Sequence, residues 1–201
     1  GKPVFLSTGM AGLETVRAAY EHVRRHTDRI ALLQCTSTYP SKFSEINLRV
    51  LQTFRQLFPD AVIGYSGHEL GIAVAPVAVA MGAAIVERHF TLDRTMKGRD
   101  HAASLEPPGL SKMVRDIRHV EEALGSGEKR LLQSEAEVFR KLSKSIVAAI
   151  PVSAGTVLSR DMLTTKGPGT GISPMRMGSV IGRRAARDLA PDTIIRDEDL
   201  A

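Results

Sequence analysis

Gly64-Tyr65-Ser66-Gly67-His68-Glu69 and, further along, Glu87-Arg88-His89-Phe90 are the segments whose reading decides the fold. Each histidine follows a short β-branched run, Ala61-Val62-Ile63 before His68 and Ala84-Ile85-Val86 before His89. The residues between them suit a single crossover helix, so the stretch reads as strand, helix, strand with a histidine at the same end of both strands. In a parallel (β/α) sheet the carboxyl ends of neighbouring strands face one cleft. Two imidazoles placed there can share a divalent metal or a substrate oxygen, or can serve simply as hydrogen-bonding partners. Each also has a carboxylate nearby, Glu69 or Glu87, of the kind that orients metal-bound imidazoles.

Outward from this unit the pattern repeats. Val4-Phe5-Leu6 reads as a strand ending at Ser7, and Leu13, Val16, Tyr20 and Val23 mark one face of the helix that follows. A second strand over 30–33 leads to Ser37-Thr38-Tyr39-Pro40, and Val50, Leu51, Phe54, Leu57 and Phe58 stripe the next helix. After the His89 strand, Leu110, Met113, Val114, Ile117, Val120 and Leu124 recur at helical spacing until Gly125 stops them. Polar strand-end positions Ser7, Ser37, Ser66 and His89 are 30, 29 and 23 residues apart, which suits parallel units with helical crossovers. A closed barrel needs eight such units in about 250 residues. Four units suggest half a barrel or an open doubly wound sheet, and Ser7-Thr8-Gly9 lacks the glycine spacing of a dinucleotide fingerprint.

Residues 126–144 turn polar and charged and read as a linker with one helical turn. Beyond them the chain is loop-rich, with Pro151, Gly155, Gly167-Pro168-Gly169 and Gly171 as turn markers and short strands expected over 145–149 and 193–195. The expected division is therefore 1–125, a linker over 126–144, and a small β-type domain over 145–201.

At 201 residues and 43% apolar composition the chain can bury a core. The longest apolar run, near residues 70–81, carries Pro76 and is too short to span a bilayer. Gly1-Lys2-Pro3 offers neither an initiator methionine nor a leader, so the chain is read as a piece of a longer protein. One cysteine, Cys35, leaves no internal disulfide and suits a reducing cytoplasm. A formal charge of +5 with only 4% aromatic residues favours small anionic substrates over nucleic acid, because Arg183, Arg184 and Arg187 have no interleaved stacking residues.

With these residues in view the chain resembles the sialic acid synthase family, enzymes that condense phosphoenolpyruvate with N-acetylmannosamine or its 6-phosphate. The likeness runs through residues 2–10, 34–40, 64–69, 87–93 and 100–107, in order and at family spacing. It continues from Ser145 into an antifreeze-like (SAF) domain, marked by Ala154-Gly155-Thr156-Val157-Leu158 and Asp161-Met162-Leu163. The resemblance implies an α/β fold, the C-terminal half of a (β/α)8 TIM barrel followed by a small β-rich SAF domain. It implies a domain-swapped homodimer for the full-length protein, with each SAF domain capping the partner's site. By position, His68 and His89 match the family's manganese or magnesium ligands. Ser7 and Ser66 match positions holding phosphoenolpyruvate, Tyr39 and Asp100 match sugar contacts, and Ser37 falls where many bacterial members have Asn. A capping-loop Arg of many bacterial members aligns with Gly167, leaving the adjacent Lys166 as the candidate replacement.

The implied reaction explains these residue types. As the enol carbon of phosphoenolpyruvate attacks the open-chain aldehyde, charge grows on the aldehyde oxygen, and a cation on two neutral imidazoles can stabilise it. Water then adds to the oxocarbenium carbon and phosphate leaves with its original oxygen. Barrel units one to four lie outside these residues, so this chain alone is expected to be inactive and, with unpaired strand edges, poorly soluble or oligomeric. Met96-Lys97-Gly98-Arg99-Asp100 looks more like animal-type synthases, which use the 6-phosphate. Three alternatives stay open: a free-sugar substrate, a legionaminic or pseudaminic acid product, and a non-catalytic SAF-type binding module.

Overall fold

The computed structural model describes residues 1–201 and divides them into two compact units, Gly1–Glu128 and Lys129–Ala201. In the first unit four strands, β1 (Val4–Ser7), β2 (Ile30–Cys35), β3 (Val62–Gly67) and β4 (Ile85–Arg88), pair in that order. All three ladders are parallel. This is the sheet of a half barrel. Helices α1 (Leu13–Arg24), α2 (Phe43–Ile46), α3 (Val50–Leu57), α4 (Val74–Ala80) and α5 (Pro107–Leu124) supply the crossovers and the closing element.

Alternation along the strands separates two faces. Leu6, Leu32 and Ile63 lie in register and join Leu51, Phe54, Phe58 and Tyr65 in the core under the helices. The opposite face carries Phe5 and Val62, which are 56% and 46% exposed. β3 runs four residues past the apolar run that signals it, through Gly64-Tyr65-Ser66-Gly67. Gly64 permits this extension because a Cβ there would lie 2.8 Å from the Ile85 carbonyl oxygen. α5 begins with proline, whose missing N–H costs nothing in a first helical turn, and packs Met113, Leu110 and Ile117 on Ile72, Ala75 and Leu105.

The second unit is mostly irregular. Within the stretch read as a linker, residues 133–135 form a 3-10 turn and α6 spans Ala136–Leu142. Strands β5 (Ser145–Ala148) and β6 (Leu163–Lys166) pair antiparallel, and α7 (Met177–Val180) is a single turn. β6 takes the place expected for residues 193–195, which make only an isolated bridge, Val147 to Ile194. Pro191 and the positive φ of Asp192 turn the chain just before that bridge and keep it short. Ile146, Leu158, Leu163, Leu189 and Ile195 fill the core.

The three arginines that form the densest basic patch of the sequence are engaged within this unit. Arg183 and Arg184 donate to the backbone oxygens of Leu200 and Gly155, and Arg187 pairs with the buried Asp199. At Gly171 an added Cβ would press on the Ile194 side chain and the Ile195 carbonyl. Gly171→Ala is therefore expected to cost about 1–3 kcal/mol of stability, read as a lowered urea midpoint; an unchanged midpoint would show that the loop yields freely.

Candidate active site

Ser66 and Glu87 are register partners on β3 and β4, and Cys35 is the partner of Ser66 on β2. Continuing the same alternation brings His68 and His89 onto this face, each one residue beyond the last backbone pair, Gly67 with Arg88. A cleft of about 400 Å3 opens there, lined by Ser7, Ser37, Tyr39, Ser66, His68, Glu87 and His89 among others. The rings of His68 and His89 are 5.1 Å apart between centroids, and Tyr39 stands edge-on at 4.4 Å from His68 and 5.5 Å from His89. Six of the eight residues proposed from sequence thus line one cleft. Asp100 lies at its margin, with Oδ2 3.8 Å from His89 Nδ1. Lys166 belongs to the second unit, where its ammonium is 2.6 Å from Asp192 in an exposed pair.

His68 is set up as a neutral nitrogen donor. Its Nδ1 lies 3.1 Å from the Thr36 carbonyl oxygen. A carbonyl only accepts, so the proton sits on Nδ1 and Nε2 keeps its lone pair. Burial lowers the His68 pKa below the ordinary 6.5, and the neighbouring His89 acts in the same direction. A neutral imidazole whose other nitrogen is fixed by a carbonyl fits a divalent cation. No group of three or more His, Cys, Asp or Glu side chains is arranged to hold a metal ion, so what the chain offers is an imidazole pair.

The same shift makes a prediction. In the metal-free protein, side-chain NMR should show His68 titrating with a midpoint below 6.5. The folded state then binds fewer protons than the unfolded chain, so this histidine's share of stability is complete above that pH and is lost as pH falls through the folded midpoint. A midpoint above 6.5 would contradict the buried, carbonyl-anchored ring.

Glu87 plays a larger part than its expected service to a histidine. It accepts from Ser66 Oγ at 2.6 Å and from Ser7 Oγ at 3.3 Å, tying β1, β3 and β4 together across the sheet face. A serine hydroxyl has one proton to give, so each serine serves either Glu87 or an incoming anion. Period two counted back from His89 was the signal for Glu87. Glu69 does not orient a histidine either; it turns to the helix side of the sheet. A larger hollow of about 630 Å3 lies beside the cleft, between the loop into α1 and α3. Its Thr8, Gln34 and Thr36 donate to the backbone oxygens of Leu33, Ile46 and Glu45.

A parallel β/α sheet that gathers its polar side chains at the strand carboxyl ends is the layout of a barrel enzyme, and known relatives make the class specific. The chain belongs to the NeuB family, whose model matches residues 1–129, and residues 143–201 match the SAF domain. It is 45% identical over 199 residues to human N-acetylneuraminate-9-phosphate synthase, covering 98% of this chain and 55% of that protein. N,N'-diacetyllegionaminic acid synthase of Campylobacter jejuni is 39% identical, over 98% of this chain and 59% of its own length. Among solved structures, the N-acetylneuraminic acid synthetase of Leptospira borgpetersenii in complex with citrate matches with a TM-score of 0.61 at 36% identity, over 68% of this chain and 47% of that one. The chain thus spans little more than half the length of the curated relatives it matches. No helix is long and apolar enough to cross a membrane.

Proposed function

We propose that the full-length protein condenses phosphoenolpyruvate with N-acetylmannosamine 6-phosphate and water to give N-acetylneuraminate 9-phosphate and phosphate. The observation that carries this reading is the convergence of Ser7, Ser66, His68 and His89 at one end of a parallel sheet, in a chain 45% identical to the human 9-phosphate synthase. His68 and His89 would hold a manganese or magnesium ion, which when bound stabilises negative charge on the aldehyde oxygen. Ser7 and Ser66 turn their protons from Glu87 to anionic oxygens of phosphoenolpyruvate, with Ser37 on the same wall. Tyr39 stands beside the histidines, edge-on to His68, and limits where the open-chain sugar can lie. Asp100 accepts from sugar hydroxyls at the cleft mouth, and the exposed Lys97 and Arg99 beside it meet the sugar phosphate.

In this reading the protein works in the cytoplasm as a domain-swapped homodimer, and Lys166 serves the partner's cleft in place of an arginine. Its exposed pairing with Asp192 is of the kind worth little, so release is easy. The identity to a legionaminic acid synthase favours a second reading with the same chemistry on a different acylated hexosamine. Mass spectrometry of products from the full-length protein, phosphoenolpyruvate, manganese and a panel of sugars tests both. A 9-phosphate product formed only from the 6-phosphate supports the first reading, and a diacetylated keto acid supports the second. No product from any sugar would leave a non-catalytic SAF-type role.

A further inference from the structure

Behind the cleft the same strand ends carry a second polar assembly. Alternation places Tyr65, Glu69 and Arg88 on the face opposite the two histidines. The Arg88 guanidinium and the Glu69 carboxylate lie 2.8 Å apart, with side-chain exposures of only 3% and 0%. Tyr65 Oη donates to the same carboxylate at 2.7 Å. Arg88 also donates to the backbone oxygens of Glu69 at 2.6 Å and Gly71 at 2.9 Å. Burial, with Glu69 as hydrogen-bond partner, pushes the Tyr65 phenol far above its ordinary range, so it remains a donor.

We infer that this buried Arg88–Glu69–Tyr65 network is the positioning device that sets the separation and angle of His68 and His89. The inference rests on the proposed reading of those histidines as a metal-holding pair. Covalent connection makes the coupling direct, because Glu69 follows His68 in the chain and Arg88 precedes His89. The β3–β4 ladder stops at Gly67 and Arg88, so both histidines stand beyond its last backbone pair. Past that point the Arg88 side chain joins the two segments through three bonds, two of them to backbone oxygens that follow His68.

Gly67 shows how closely the space is used. A Cβ there would lie 2.7 Å from Tyr65 Cε1 and 2.8 Å from Glu69 Oε2, so the assembly occupies the volume a side chain would need. A buried ion pair is a poor way to gain stability compared with apolar side chains of the same size, whereas fixing one geometry suits it. Holding ligands close to their productive geometry needs supporting bonds of this kind.

The test uses the full-length protein without substrates and follows binding of Mn2+ by the EPR signal of the free ion. His68→Ala and His89→Ala should abolish the site. The double variant Glu69→Leu/Arg88→Met replaces the ion pair by apolar groups of similar size. It should unfold cooperatively, with a smaller loss of stability than truncating Arg88 alone, and yet bind Mn2+ about tenfold or more weakly. Arg88→Lys keeps the charge but loses the forked bonds to backbone, and should fold normally with several-fold weaker binding. Native affinity in whichever of these two folds overturns the inference while leaving the histidine pair intact. Native affinity in the histidine variants removes the metal reading itself, and the positioning role with it.

Discussion

His68→Ala in the full-length protein is expected to lower kcat/KM for the proposed condensation by about a thousandfold, and His89→Ala by a similar factor. Loss of a single group that stabilises developing oxyanion charge costs about 10²–10³-fold in comparable sites, and losing an imidazole here would also remove half of the pair proposed to hold the metal ion. The double variant should be little worse than either single one, because groups that act as a unit do not add. Phosphate release in steady state, with manganese in excess, gives the numbers. A loss below tenfold in both single variants would mean that the imidazoles are not where charge is stabilised. The chemistry would then have to be sought at Glu87 and the serines it holds.

Arg88→Ala should be the most destabilising single change in the first unit, at about 3–5 kcal/mol. Truncation leaves the Glu69 carboxylate fully buried with only Tyr65 as a side-chain donor, and it removes the bonds to the carbonyls of Glu69 and Gly71. Glu69→Leu/Arg88→Met should cost clearly less than Arg88→Ala, since it removes both charges together and leaves only neutral groups, the Tyr65 hydroxyl and the two carbonyls, without these partners. Urea unfolding of the three proteins side by side measures this. A fall below about 1 kcal/mol for Arg88→Ala would mean that water reaches the carboxylate once the guanidinium is gone.

Much of the first unit was legible because β-branched runs, helical stripes and strand-end polar residues recur in register from Val4 to His89. The two histidines could be placed together because each lies a few residues past a β-branched run, at the same end of its strand. Tertiary pairing then carried the strands farther than propensity would, through Gly64-Tyr65-Ser66-Gly67, where a neighbouring strand needs the absent side chain. The ion pair behind the cleft was not legible. Glu69 reads in the sequence as a carboxylate serving the adjacent His68, and nothing there singles out Arg88; only a count by twos along both strands places the two opposite the histidines and facing each other.

The second unit yielded less to reading. Its strands and α7 are only four residues long, and beyond the β5–β6 ladder its core is closed by single bridges such as Val152 to Leu189 and Ala185 to Leu200. Neither period two nor period 3.6 has room to show in segments of that length. Ile195 illustrates the point, being fully buried and bonded through backbone to Ile146 and Ile172 without belonging to a strand.

Dividing the strand ends into a cleft face and a locked face has a consequence for how such a protein can diversify. Ser37 and Tyr39 line the cleft, Asp100 lies at its margin, and none of the three has a hydrogen bond or ion pair to Glu69 or Arg88, so in the proposed reading exchanges there would alter which sugar is accepted at little cost to folding. A histidine pair kept in place from behind would let the cleft face vary without disturbing it, which fits a chain similar both to a synthase of N-acetylneuraminate 9-phosphate and to one of diacetyllegionaminic acid.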